Sequence, residues 1–154
     1  MYLKIDVQGS ELAVFRSGRE KLAGAVAIQT EVSFVPLYEN QPSIGQIDTE
    51  LRSQGFIPHA LVELKRWVIS PLLVDNNPRQ PLNQLLEADL VYVRDFRSPE
   101  SLTEEQLKHL ALIAHYCYRS PDLALFCLLA LERRGTLASG VQDLYLNILR
   151  ASSA

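Results

Sequence analysis

The stretch that most limits what this chain can fold into is its beginning, Leu3-Lys4-Ile5-Asp6-Val7-Gln8-Gly9-Ser10-Glu11. Leu3, Ile5 and Val7 alternate with Lys4 and Asp6, the period-two pattern of a short strand. Gly9 permits a tight exit, and Ser10 is placed to cap a helix whose first turn holds Glu11. A strand that ends in an acid and turns through glycine into a helix sets a carboxylate at the carboxyl edge of a sheet. In open α/β sheets that edge is where ligands bind.

The following segments extend the pattern. Leu12, Val14 and Phe15 give a short helix one apolar face, Gly18 ends it, and Arg19-Glu20-Lys21-Leu22 adds a turn. Ala25 to Phe34 is nearly continuous in apolar residues, as in a strand covered on both faces, until Glu31 interrupts it. A carboxylate there is costly to bury, so Glu31 either faces a cleft and an acceptor or pairs with Lys4, Arg66 or Arg94. Pro36 to Pro42 reads as a loop carrying Tyr38 and Glu39. Ser43 with Gln46 three residues on forms a capping box for a helix that buries Ile44, Ile47 and Leu51 and closes at Gly55. Two strands follow without a helix between them. One runs around Ala60 to Leu64, with Trp67-Val68-Ile69 as a continuation, and the other runs from Ala88 to Asp95. Between them, Asp75 to Pro81 is rich in turn residues.

From Ser98 the pattern becomes helical. Pro99 to Glu105 reads as a helix start, with Leu107, Leu110, Ala111 and Ala114 recurring at three and four residues. A second helix opens at Pro121-Asp122 and ends at Gly135, apolar almost all round and therefore buried. A third covers Val141 to Leu149, with Leu144, Tyr145 and Ile148 on one face. The expected fold is thus α/β, in two parts: residues 1–97 and a helical tail, 98–154, packed on the first part or on a second subunit.

Composition narrows the function classes. A chain of 154 residues with 47% hydrophobic and 21% charged residues is ordinary for a globular domain. A net charge of −3 gives no basic footprint for nucleic acid. No apolar run reaches the ~20 residues of a membrane span. Cys117 and Cys127 fall in helical patterns and read as buried free thiols, which points to a cytoplasmic setting. His59, His109 and His115 are too scattered to suggest a metal site.

Four segments, in order, resemble the carboxyl-terminal half of FkbM-type methyltransferases: LKIDVQGSEL, IQTEVSFVPLYENQPSI, LRSQGF and ADLVYVRDF, together spanning roughly residues 2 to 97. The resemblance implies a partial class I (Rossmann-like) sheet, mostly parallel, whose antiparallel last strand inserts beside strand five. It implies S-adenosylmethionine as cofactor and O-methyl transfer to a small-molecule or sugar acceptor. It also marks an omission, because no Gly-rich cofactor turn of the GxGxG kind occurs in this sequence. Under the resemblance Asp6 matches the strand-four acid and is a candidate to orient or deprotonate the acceptor; otherwise it caps the helix that follows. Glu31 is the second catalytic candidate. Glu11, Tyr38 and Glu39 are candidate acceptor contacts. Against these stand Glu11 as a first-turn acid complementing the helix dipole and Tyr38-Glu39 as a solvent loop anchored by the tyrosine. Arg94-Asp95 is expected to form a structural pair. The opening strand, lying mid-sheet in the complete fold, is expected to present an open edge here and to join two copies as a homodimer. The alternative to an enzyme is a non-catalytic remnant or oligomerisation module of the same architecture.

Overall fold

The computed structural model describes residues 1–77 and 80–152, which form two compact units: Leu3–Arg94, and Asp95–Ala154 together with Met1–Tyr2. The first unit is built from β1 (Tyr2–Ile5), α1 (Glu11–Ser17), α2 (Arg19–Leu22), β2 (Ala27–Ser33), α3 (Ile44–Ser53), β3 (Phe56–Trp67) and β4 (Gln84–Arg94). The strands lie in the order β1-β2-β4-β3, and β4 runs antiparallel to both of its neighbours. The expected insertion of an antiparallel last strand beside the Glu31 strand is therefore present, and β2 and β3 share one direction.

Period two assigns the two faces of this sheet. Ile28 and Val32 of β2 join Ala88, Leu90 and Tyr92 of β4 on one face, packed with Leu12, Phe15, Leu22, Ile47, Leu51 and Phe56 from the helices and β3. Val14, expected in the same cluster, is exposed, because only Leu12 and Phe15 of α1 point at the sheet. The Ser43–Gln46 capping box closes in both directions, and Gly55 leaves α3 at φ +82°, as the helix end requires.

Glu50 on α3 is buried yet ionised. Burial alone would raise its carboxyl, but bonds from Gln54 and Arg19, with Arg16 close by, outweigh that and hold it below the usual carboxylate range. A lowered carboxyl contributes stability above the unfolded value and loses it as pH falls through the folded one. Glu50→Gln is accordingly expected to lower the urea midpoint at pH 7 and to match the unaltered chain near pH 3.

Both hairpin strands are longer than the hydrophobic pattern implies. β3 begins at Phe56, paired with Arg94, and ends at Trp67 without continuing to Ile69; β4 begins at Gln84. Register shifts at Pro58/Ala60, Leu61/Glu63 and Lys65/Arg66 break the alternation that sequence reading relies on. The turn-rich connection is borne out at Asp75 and Asn76, both at positive φ; Pro78 and Arg79 lie outside the described residues.

Arg94 corrects another expectation. It does not pair with Asp95, which binds Arg97. Its guanidinium donates instead to the carbonyls of Leu22, Ala23, Ala25 and Gln54 and lies 4.1 Å from the centroid of the Phe56 ring. Ala23 and Gln54 are the C-caps of α2 and α3, so one cation donates to the carbonyls at two helix ends.

The second unit holds a 3₁₀ turn (Pro99–Ser101), α4 (Glu104–Tyr116), α5 (Pro121–Arg133) and α6 (Val141–Ser152). The helix expected from Pro99 starts at Glu104 instead, because Thr103 and Gln106 form a capping box there. Leu107, Leu110, Ala111 and Ala114 are buried as expected, as is Cys127 on α5, whose thiol is pushed up to about 12 by burial. Cys117 is exposed, contrary to expectation, since it lies just beyond the last turn of α4. On α6 only Tyr145 of the expected apolar face is buried, its hydroxyl 2.8 Å from His115 Nδ1. Leu144 and Ile148 are exposed. Among the described residues no helix is long and apolar enough to cross a membrane.

Candidate functional site

The turn after β1 is shaped by backbone hydrogen bonds. Gln8 and Gly9 both have positive φ, 50° and 99°, which reverses the chain between β1 and α1. Glu11 turns back from the first turn of α1 and accepts from the Val7 N–H at 2.8 Å through Oε1 and from the Gly9 N–H at 2.9 Å through Oε2. It is buried, and its two oxygens are directed into the turn, so it supports that turn from beneath rather than facing an acceptor. Ser10 occupies the N-cap position, but its side chain makes no capping bond. Asp6 is exposed at the mouth of the turn.

A second loop meets the first. Gln41 packs against Gly9, where an added Cβ would lie 3.6 Å from Gln41 Cγ. The same side chain donates to Ser33 Oγ at the end of β2, at 2.6 Å, and accepts from the Leu37 N–H at 2.7 Å. Gln41 thus ties the Pro36–Pro42 loop to both strand ends. Tyr38 and Glu39 ride on the exposed outside of this loop, and Tyr38 is not packed down as an anchor.

Glu31 is the chemically distinctive group. The register sets it opposite Asp89, and Asp89 opposite Glu63, a row of three carboxylates across β2, β4 and β3. Like charges directly opposite one another destabilise a sheet. The adjacent row is Ser33, Glu87 and Lys65, and the Lys65 ammonium bridges Glu87 at 3.1 Å and Glu31 at 3.3 Å. Gln29 donates to Asp89 at 2.7 Å. Lys65, not Lys4, Arg66 or Arg94, is therefore the partner of Glu31, because the register of the hairpin delivers it. Burial raises the Glu31 carboxyl above its usual range, and the charges of Glu87 and Asp6 push the same way against the pull of Lys65. Asp6 and Glu31, the two catalytic candidates, thus stand near enough to feel each other. The bond to Glu87 and then that to Glu31 hold Lys65 above the ordinary ammonium range.

These shifts have a measurable sign. An acid whose folded value is raised binds its proton more tightly when folded, so stability falls as pH rises from the ordinary carboxylate range through the raised value. Glu31→Gln is expected to raise the urea midpoint at pH 7 and leave it unchanged near pH 3. The effect is opposite in sign to that at Glu50. Trp67, the one tryptophan of the chain, reports the transition from β3. A Glu31→Gln midpoint below that of the unaltered chain at pH 7 would show that the Lys65 pair outweighs burial.

Sequence reading found Asp6, Glu11 and Glu31 but missed Gln29, Gln41, Lys65, Glu87 and Asp89. The spacings Glu63-x-Lys65 and Glu87-x-Asp89 put each pair on one face, but only the hairpin register brings them to Glu31. Among the described residues no group of three His, Cys, Asp or Glu side chains is arranged to hold a metal ion.

No curated protein and no solved structure matches this chain. One family model does, over residues 1–58, and its description is the methyltransferase FkbM domain. The match ends in the first residues of β3, so it includes Asp6, Glu11, Glu31, Tyr38 and Glu39 and stops short of Lys65, Glu87 and the ADLVYVRDF strand. Over those 58 residues the chain is similar to the methyltransferase FkbM domain.

Proposed function

We propose that the carboxyl edge of this sheet is the acceptor side of an S-adenosylmethionine-dependent O-methyltransferase, present here as a partial domain, and that its acceptor is a hydroxyl of a small molecule or sugar. The observation that carries the reading is the pairing of an exposed Asp6 with a Glu31 raised above the usual carboxylate range, at a strand edge matched by the FkbM model. In this reading Asp6 accepts a hydrogen bond from the acceptor hydroxyl and takes up its proton as the oxygen becomes a nucleophile. Glu31 fixes the orientation of the hydroxyl, with Lys65 bounding the charge behind it. Holding the oxygen in line is the larger contribution, because proximity supplies most of the acceleration in such transfers.

The residues of this edge do not fit the methyl donor itself. A cofactor turn offers free backbone N–H groups to its ligand. Here the N–H groups of Val7 and Gly9 are taken by Glu11, and the side chain of Gln41 covers Gly9. The donor site is therefore assigned to none of these residues, and only the acceptor side is attributed to them.

The test is transfer of tritiated methyl from S-adenosylmethionine to a panel of sugars and small alcohols. Asp6→Asn is expected to lower the initial rate by about 10²- to 10⁴-fold, the range for loss of a general base. Glu31→Gln is expected to act mainly on KM for the acceptor. Absence of methylated product from every acceptor, or an unchanged rate in Asp6→Asn, would overturn the assignment. The second reading, an oligomerisation module of methyltransferase-like architecture, is favoured by a different observation, the apolar surface of the helical unit.

A further inference from the structure

The register of the sheet concentrates acids on one of its faces. Glu31 of β2, Glu87 and Asp89 of β4 and Glu63 of β3 share that face, and Asp6, just beyond β1, lies near enough to act on Glu31. Asp89 accepts from the Gln29 amide at 2.7 Å. Glu31 and Glu87 share the Lys65 ammonium, at 3.3 and 3.1 Å. Two features separate this bridge from an ordinary surface ion pair. The first is reach. β4 lies between β2 and β3, and neighbouring strands are about 4.8 Å apart, so Lys65 meets Glu31 only by crossing β4. Register shifts at Leu61/Glu63 and Lys65/Arg66 flank it, and such irregularities re-aim side chains. The second is asymmetry. The Lys65 side chain is 45% exposed, while those of Glu31 and Glu87 are 13% and 11% exposed. An ammonium so open to water adds little stability, yet it is set against two carboxylates that are mostly buried.

The effect of the bridge falls on the state of Glu31. Burial, Glu87 and Asp6 push its carboxyl up, and Lys65 pulls it down through its hydrogen bond and its charge. A carboxylate only accepts hydrogen bonds, whereas a protonated carboxyl also donates one. The protonation state therefore decides which group of an acceptor molecule Glu31 can hold. We propose that Lys65 is a positioning residue: anchored on Glu87, it reaches over β4 and keeps Glu31 a hydrogen-bond-accepting carboxylate at the acceptor edge. The inference rests on the acceptor-side reading of Glu31 given above. It adds that acceptor binding weakens in acid, where Glu31 takes up its proton, and that Lys65 sets where this begins. Glu87 has two parts, since it anchors the ammonium and competes with Glu31 for it.

The test is a carbon-13 titration of the side-chain carboxyls in the full chain, without methyl donor or acceptor. The Glu31 resonance is identified by its loss in Glu31→Gln, and circular dichroism checks that each variant is folded. Lys65→Met is expected to move the Glu31 midpoint up by about one pH unit, the order of effect of an opposite charge at this distance. Lys65→Arg, which keeps the cation, brings the midpoint back toward that of the unaltered chain. Glu87→Gln moves it down, because a competing acid is gone and the ammonium is left to Glu31. A Glu31 midpoint that stays in place in Lys65→Met, or that moves the same way in Lys65→Met and Glu87→Gln, overturns the proposal. In the tritiated-methyl assay Lys65→Met is expected to raise KM for the acceptor, more strongly in mild acid than at neutral pH, with recovery in Lys65→Arg. A KM whose pH dependence is unmoved in Lys65→Met also overturns it. Absence of transfer in every chain overturns the methyltransferase reading alone, because the titration is read without either substrate.

Discussion

Replacing Arg94 with alanine is expected to destabilise the Leu3–Arg94 unit by about 3–5 kcal/mol, measured by urea unfolding through Trp67 fluorescence. The reasoning rests on what the side chain replaces. The carbonyls of Leu22 and Ala23 close α2, that of Gln54 closes α3, and that of Ala25 leads into β2. Arg94 reaches them at 2.5, 2.8, 2.6 and 2.7 Å respectively. A hydrogen bond from a charged donor contributes about 1.5–3 kcal/mol. Four of them do not sum, because carbonyls near the surface recover water when the arginine is removed. The guanidinium also completes the ring stack on Phe56 and sits in the negative potential of two helix C-termini. Burial lowers the Arg94 value, so the cation is partly desolvated among carbonyl dipoles and the Phe56 ring. Arg94→Lys is not a conservative change, because one ammonium cannot fork to carbonyls arriving from three elements. It should recover less than half of the loss. Arg94→Met separates packing from bonding, since it fills much of the volume and donates nothing. A loss under about 1 kcal/mol in both Arg94→Ala and Arg94→Met would mean that water serves these carbonyls as well as the arginine does.

The sequence made the sheet legible where period two was unbroken. Ala25 to Phe34 showed a core strand, and the acid within it was recognised as needing a reason. The partner of that acid was not legible. It depends on the register of β3 against β4, and three register shifts lie in that hairpin. A single slip moves a side chain to the other face, so no pattern of residues on β3 alone could say that Lys65, and not Arg66, reaches Glu31. The same limit explains Arg94. The dipeptide Arg94-Asp95 suggests a local ion pair, yet β4 ends at Arg94, Asp95 binds Arg97, and the arginine found carbonyls far away in sequence. On α6, periodicity grouped Leu144, Tyr145 and Ile148 on one face, of which only Tyr145 is buried. It could not say whether that face met this chain or another, since a 3.6-residue stripe encodes burial and not its partner. Residues 1–58 were the most legible because the FkbM resemblance and the hydrophobic pattern agree there. Glu11 is the exception within that segment.

Glu11→Ala is expected to lower the stability of the same unit by about 2–4 kcal/mol, while Ser10→Ala should change it by less than about 0.5 kcal/mol. The sequence suggests the reverse emphasis, since serine at an N-cap is ordinarily worth about 1 kcal/mol and a first-turn glutamate a few tenths. The structure inverts them. Ser10 makes no side-chain capping bond, whereas Glu11 is 3% exposed and binds two backbone N–H groups. Removing it leaves both donors without their acceptor beneath a turn that holds Gln8 and Gly9 at positive φ. Glu11→Gln keeps one acceptor oxygen and should lose about half as much. The measurement that isolates the turn is amide hydrogen exchange at Val7 and Gly9, expected to quicken by about 10²-fold or more in Glu11→Ala as these amides open locally. Exchange unchanged at both amides would show that the backbone holds the turn unaided. The consequence for chemistry follows from position. Asp6 is the residue before Val7, so a turn free to open moves the proposed base off the acceptor. The Glu11→Ala variant should then lose methyl transfer even in the fraction that remains folded, because catalytic groups displaced by about 1 Å can forfeit 10²-fold in rate.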